Sequence, residues 1–373
     1  MWSSLINASR RVRALPLPLG LPLGLPHSLQ TTLQSSLQTS LQTATGGGGW
    51  RVREEAIMGT AIRVELWSES RAQGQAAADV VMDEMHRIDR RMSPHKEDSE
   101  LSRINRDAAR SPVMLSEEMY GLVARSIELS ELSGGAFDIS YATVGQLYDY
   151  RQGRRPSDAQ LAQARALVGY KYLELDSKAG SLRFHHHGMR IDLGGFAKGH
   201  AVDNAARILA GRGIGHAIVS AGGDSRVLGD RRGRPWTVAV RHPRKPGEVV
   251  AVLPLENVSI STSGDYERFF ERDGERFHHL IDPGTGRSPR GVHSVTILAD
   301  DGLTSEGLSK SVFVLGVERG LALIESQAGV DAVVVDAAGR LHASSGLLSA
   351  VPAVKNEAAL TGRRTLQPAV QQA

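Results

Sequence analysis

Two glycines followed by a lysine in the first turn of a helix mark Ile191-Asp192-Leu193-Gly194-Gly195-Phe196-Ala197-Lys198-Gly199-His200 as the stretch best suited to an anionic ligand. Glycine lets the backbone approach a ligand closely, helix N–H groups can face a phosphate, and Lys198 adds a point charge. The stretch is neither a Walker loop nor GxGxxG, and a Gly-Gly turn before a helix is by itself ordinary geometry. Two other runs carry chemistry. Ser261-Thr262-Ser263-Gly264-Asp265 sets three hydroxyls and a carboxylate within five residues, either for phosphate or ribose or as a plain Ser/Gly turn. In His278-His279-Leu280-Ile281-Asp282-Pro283-Gly284-Thr285-Gly286 a histidine precedes a carboxylate by three residues, and a Pro-Gly turn holds the segment, so His279 could serve as a base near neutral pH. With no cysteine in 373 residues, disulfides, thiolate nucleophiles, Cys-ligated zinc, iron–sulfur clusters and a cysteine-borne lipid are excluded.

These segments need elements to hold them. Thr60, Ile62, Val64 and Leu66 alternate with polar neighbours, as in a half-buried strand. Val81, Met85, Ile88 and Met92 form one apolar helix face, and a second helix starts at a Ser116 cap and buries Met119, Leu122, Val123 and Ile127. Strands are expected at 217–221, 236–241, 251–255, 292–298 and 331–335, and helices at 200–211, 306–315 and 318–327. Short turns between successive strands favour an antiparallel α+β fold. His185-His186-His187 reads as an exposed hairpin, because consecutive strand residues face opposite ways and cannot converge on one ion. Asp300-Asp301 reads as a solvated turn, and Trp50, Trp67 and Trp236 as packing residues.

The chain divides into a low-complexity segment at 1–50, a folded region at 51–350 and a polar tail at 351–373. There are 44 Lys+Arg and 41 Asp+Glu. Removing Arg10, Arg11, Arg13, Lys355, Arg363, Arg364 and Glu357 leaves the folded region with 38 basic and 40 acidic residues. A nucleic-acid binder needs a basic excess on its folded domain, and none exists here. The three N-terminal arginines before an apolar, proline-interrupted stretch give the outline of an export signal; a disordered extension or an early start codon is the alternative. No apolar run is long enough to span a membrane.

Six segments occur in an order that resembles the FAD:protein FMN transferases, the ApbE family, over about residues 55–350. They are Met58-Gly59-Thr60, Ser99-Glu100-Leu101-Ser102 before Asn105, Gly135-Ala136-Phe137-Asp138, Asp192 to Gly199, Ser261 to Asp265, and His279 to Gly286. The resemblance implies an ApbE-like, T-fold-related domain with antiparallel sheets packed against helices. It also implies an enzyme that cleaves FAD, attaches FMN by a phosphoester bond to a Thr or Ser of an acceptor protein, and releases AMP. Acceptors would be subunits of membrane redox complexes, modified in an Asp-Gly-x-Ser/Thr-Gly-x-Ser/Thr segment. The enzyme would be periplasmic or held on the outer face of the inner membrane, or cytoplasmic if the N-terminal segment is not a signal.

Carried over by position, Met58, His95, Ala136, Phe137, Asp138, Asp192, Lys198 and Ile281 would contact FAD. His279 would be the general base and Lys198 would steady the pyrophosphate, with Asp138 and Asp192 hydrogen-bonding the adenine or ribose side. His95 departs from the family's usual tyrosine. Magnesium would be held by the Gly195 carbonyl and by the carboxylate at Glu306. The family's threonine ligand, one helical turn on, is here Lys310, which as an ammonium cannot ligate a cation. Two arrangements are open: Mg²⁺ through Gly195, Glu306 and FAD phosphates with help from Ser309, or a Lys310–Glu306 pair that presents its own charge. Rival readings are an FAD-binding or FAD-hydrolysing homologue without transfer, and a non-catalytic partner of a redox complex.

Overall fold

The computed structural model describes residues 48–350. The low-complexity segment, the tail and the export reading therefore lie outside the described residues. Strand β1 (Gly49–Ile57), which the sequence reading does not anticipate, pairs with β2 (Thr60–Ser68) through a two-residue turn. Met58 and Gly59 both have positive φ, 54° and 69°, matching the right-handed twist of a tight hairpin.

Helices α1 (Arg71–Met92) and α2 (Glu100–Asp107) follow, then β3 (Val113–Met114), α3 (Glu117–Leu132), α4 (Ala142–Gly145) and α5 (Asp158–Arg165). The chain continues through β4 (Leu173–Asp176), β5 (Ser181–Phe184), α6 (Ala197–Gly211), β6 (Ala217–Ala221), β7 (Asp224–Leu228), β8 (Trp236–Arg241) and β9 (Val249–Leu255). The last elements are β10 (Ser259–Gly264), β11 (Phe269–Arg272), β12 (Glu275–His278), β13 (Val292–Ala299), α7 (Gly302–Glu325), β14 (Asp331–Asp336), β15 (Leu341–Ala343) and α8 (Ser345–Ala350).

Eight strands form one sheet in the order β1-β2-β6-β7-β10-β13-β14-β15, with every neighbouring pair antiparallel. Three helices cross it in the same sequence: α1 over β1 and β2, α6 over β6 and β7, and α7 over β10, β13 and β14. The apolar stripe on α1 is buried as its periodicity predicts, with Val81, Met85 and Ile88 fully so. Each such side chain contributes about 1.5–3 kcal/mol. The β8–β9 hairpin forms a second cluster, in which Trp236, Val240 and Leu253 meet Val227, Ile260 and Leu298. Trp50 packs edge-on against Trp67 and Trp236, so the three tryptophans are packing residues. His185 and His187 are exposed and His186 packs edge-on against Tyr172, so the three histidines do not converge.

The two helices expected at 306–315 and 318–327 are both present, separated at Gly316, where φ is 80° and ψ −178°, within the helical run α7. It starts earlier than its apolar pattern because Asp301 is its N-cap and accepts from Thr304 N–H at 2.7 Å. Helices α6 and α7 cross glycine to glycine. A Cβ on Gly199 would lie 2.2 Å from the Gly302 carbonyl oxygen, which has no flexible side chain to yield. Gly199→Ala is therefore expected to cost about 1–3 kcal/mol through overpacking, more than the roughly 1 kcal/mol that alanine returns in helix propensity. Urea unfolding should show a lower midpoint; a midpoint equal to or above that of the parent chain would contradict this crossing.

Candidate active site

The stretch from Arg190 to Leu193, just before the glycines, pairs with no strand. Side chains satisfy its backbone instead. Thr143 Oγ1 both accepts from Arg190 N–H and donates to Arg190 C=O, and Asn105 accepts from Ile191 N–H at 2.8 Å while donating to its carbonyl at 2.9 Å. Asp192 N–H donates to the Ile139 carbonyl. Thus the Ser99–Asn105 motif acts as a brace: Ser99 caps α2, Glu100 accepts from Ser116 N–H and Oγ, and Asn105 fixes the start of the glycine turn.

Phe196, at the N-cap of α6, supplies no side-chain cap. The Gly199 N–H donates 2.7 Å to Glu306 Oε2 on α7, so a carboxylate from the neighbouring helix meets the positive end of α6. The close crossing also brings Lys198 onto the same carboxylate. Lys198 Nζ donates to Glu306 Oε1 and lies 3.0 Å from Asp224 Oδ2, at the start of β7. Lys310 Nζ, one turn along α7, lies 3.2 Å from Glu306 Oε1. Burial opposes charge on Lys198, but Asp224 and Glu306 outweigh it and hold the lysine pKa above its ordinary value. Burial likewise pushes Asp224 up, yet Lys198, Lys310 and a bond from Ser261 bring it below the usual carboxylate range.

The Ser261–Asp265 run is mostly strand rather than turn. Ser261 Oγ donates to Asp224 Oδ1, Ser261 and Ser263 hydrogen-bond Ser309 Oγ, and Thr262 on the opposite face pairs with Thr296. Asp265 is bound by Arg244 and His293. These groups tie β10 to α7 and β7.

His279 leaves β12 with its N–H on the Arg268 carbonyl at 3.0 Å. Asp282 does not orient it: its oxygens accept from Gly284 N–H and Thr285 Oγ within their own turn. Burial, then the positive charges of His278, Lys310, Arg268 and Lys198, bring the His279 pKa down to about 3. Its Nδ1 is buried without a hydrogen-bond partner. Such an orphan costs about 1–3 kcal/mol until a ligand satisfies it. The low pKa has a consequence for stability. Below about pH 6.5 the unfolded chain binds a proton at this position that the folded chain refuses until about pH 3. Stability should therefore fall with acidification across that window, by up to about 1.4 kcal/mol per pH unit. Urea midpoints at pH 7, 6 and 5 should decline more steeply for the parent chain than for His279→Asn; parallel declines would refute this.

Other expected contacts divide into two groups. Asp192, half-buried, has its carboxyl pKa raised by burial against the pull of His95, Lys198 and Arg190, and accepts from Gly194 N–H. His95 is exposed nearby. The Met58-Gly59 turn reaches Arg268, and Ile281 packs with Tyr141. Asp192 therefore lies in reach of Lys198, and Tyr141 and Arg268 link Ile281 and the Met58-Gly59 turn to it. Phe137 and Asp138 do not present themselves in the same way. Phe137 is a core residue at 5.4 Å from the Phe196 ring, and Asp138 accepts from Ser140 N–H at 2.8 Å and Tyr170 N–H at 2.6 Å. Ala136 is buried beside them. The structure thus places 136–138 as a support under the glycine turn, because both Asp138 oxygens hold backbone. Sequence reasoning missed Arg268 and Tyr141. Asp192 and Glu306 both raise the Tyr141 pKa, after burial.

Magnesium at Gly195 and Glu306 does not fit these residues. The Glu306 side chain is fully buried, and its oxygens are taken by two ammonium groups and one N–H. Ser309 is committed to Ser263 and to the Glu306 carbonyl. A dication about 4 Å from one ammonium would meet roughly 8 kcal/mol of repulsion at an effective dielectric constant of about 20. Among the described residues no group of three or more His, Asp or Glu is arranged to hold a metal ion.

Residues 58–334 match the sequence profile of the ApbE family. The chain belongs to the ApbE family. It is 33% identical to a FAD:protein FMN transferase of Treponema pallidum, a match covering 82% of this chain and 91% of that one. A FAD:protein FMN transferase of Haemophilus influenzae is 34% identical, over 64% of this chain and 72% of its own. Among solved structures, the ApbE protein of Thermotoga maritima superposes with a TM-score of 0.75 at 32% identity, covering 81% of this chain and 99% of that one. The flavin transferase ApbE of Vibrio cholerae gives 0.73 at 28% identity, with 81% and 99% covered. This ApbE-family chain is mixed α and antiparallel β, as the α+β expectation states.

Proposed function

We propose that this chain is a FAD:protein FMN transferase. The observation that carries the proposal is the convergence of two ammonium groups, Lys198 and Lys310, with an uncharged histidine, His279, within their electrostatic reach. Phosphoryl transfer needs a positioned nucleophile, a proton acceptor and positive charge around the phosphates. In this reaction the acceptor's Thr or Ser oxygen attacks the FMN phosphorus, and the bond from that phosphorus to the bridging oxygen breaks. AMP leaves with that oxygen. His279 takes the hydroxyl proton, and the lysines stabilise charge on the phosphate oxygens. No nucleophile of the chain is required, in keeping with the absence of cysteine.

The pyrophosphate also supplies what His279 lacks. Its negative charges offset those of Lys198 and Lys310, which raises the histidine pKa and makes the ring a stronger base only when substrate is present. The proposal extends to an acceptor in a membrane redox complex and to a periplasmic or membrane-associated enzyme, on the strength of the Arg10, Arg11 and Arg13 pattern. Among the described residues no helix is long and apolar enough to cross a membrane. Incubation with FAD and an acceptor bearing the Thr/Ser segment should give a protein band that keeps flavin fluorescence after denaturation. A colourless acceptor with AMP released would leave only hydrolysis; absence of both would sink the proposal.

A further inference from the structure

We propose that Lys310 is a built-in cation for the pyrophosphate, so that this chain cleaves FAD without a divalent metal. The inference rests on the transferase reading above and adds what carries the charge. Glu306 and Lys310 stand one turn apart on one face of α7, within 3.2 Å. The four charged groups Lys198, Lys310, Asp224 and Glu306 sum to zero. They are not equally placed: the Glu306 and Asp224 side chains are 0% and 4% exposed, whereas those of Lys198 and Lys310 are 22% and 17% exposed. The carboxylates are walled in while both lysine side chains keep part of their surface open, so an approaching anion meets the lysines first.

The lysine stem runs alongside the glycine turn: a Cβ on Gly195 would stand at ordinary contact distance, 3.4 Å, from Lys310 Cε. With threonine at position 310 the cluster would carry one net negative charge, and Glu306 Oε1, then held by Lys198 alone, would keep a lone pair for a cation. The lysine neutralises that charge from within. A purely structural ion pair would give the same contacts but would leave phosphate binding untouched, and this difference is what the test reads.

The full chain is assayed for FAD affinity, by flavin fluorescence, and for AMP release with acceptor, in EDTA and in millimolar Mg²⁺. Calorimetry with Mg²⁺ alone is run on the free and FAD-bound protein. The parent chain should bind and cleave FAD equally in both media, within about twofold, and show no magnesium heat. Lys310→Thr should lose rate on the order of 10²–10³-fold in EDTA and weaken FAD binding, with Mg²⁺ restoring part of both; Lys310→Arg should stay metal-independent. A parent chain whose FAD binding or cleavage collapses in EDTA and returns with Mg²⁺ overturns the inference, as does Lys310→Thr that matches the parent in EDTA. A chain that binds FAD and never cleaves it refutes the transferase reading instead, and the binding arm still decides the role of Lys310.

Discussion

Lys198→Ala is expected to remove measurable transfer and to destabilise the fold. Two losses combine. Removing a charge that stabilises the developing transition state costs on the order of 10²–10³-fold in rate. The same change leaves Asp224 and Glu306, both buried, short of a partner, and breaking one side of a buried ion pair costs about 3–5 kcal/mol. Lys310 keeps one contact with Glu306, whereas Asp224 loses Lys198 and is left with the bond from Ser261 Oγ. The rate should be measured at a temperature where circular dichroism shows the variant folded. There Lys198→Arg, which keeps the charge, should recover part of the activity, and Lys198→Ala none. Equal activity in the alanine and parent chains would remove Lys198 from the mechanism.

His279→Ala separates binding from chemistry. The ring is uncharged in the free protein, so its loss should leave FAD affinity within a few-fold, while loss of the proton acceptor should lower turnover by about 10²–10⁴-fold. The pH dependence gives a second readout. For the free enzyme the acidic limb belongs to a histidine held down to about 3, and it should move upward once FAD is bound, because the pyrophosphate cancels the positive charges that depress it. Kinetics of kcat against pH should show the higher limb, and kcat/KM the lower. Unchanged turnover in His279→Ala would dismiss it as the base.

The sequence reveals Lys198 and His279 because each sits in a run of residues whose order is itself informative. It reveals the helix face on α1 because burial on one side of a helix leaves a period in the chain. What it cannot show is which oxygens are already taken. Asp138 and Asp192 look alike as carboxylates beside glycine, yet Asp138 spends both oxygens on the N–H groups of Ser140 and Tyr170, the second 32 positions away. Asp224 follows two glycines, Gly222 and Gly223, in the chain, but its pairing with Lys198 depends on the α6–α7 crossing and on the β7–β10 register, which places Asp224 opposite Ser261. Arg268 enters through its carbonyl on the His279 N–H and through its charge near the ring, and neither is visible in the order of residues. The Glu306–Lys310 spacing is visible in the chain, and its outcome, an ion pair rather than a metal ligand, is decided by burial of the carboxylate and by the arrival of Lys198.

The most direct measurement is one ratio, AMP released against FMN bound to acceptor, by chromatography and intact-protein mass with EDTA present throughout. Transfer by Lys198, Lys310 and His279 predicts one AMP for each acceptor that gains the mass of an FMN group on a Thr or Ser. AMP accumulating with no gain in acceptor mass, or no AMP from a chain that is folded and saturated with FAD, would contradict it.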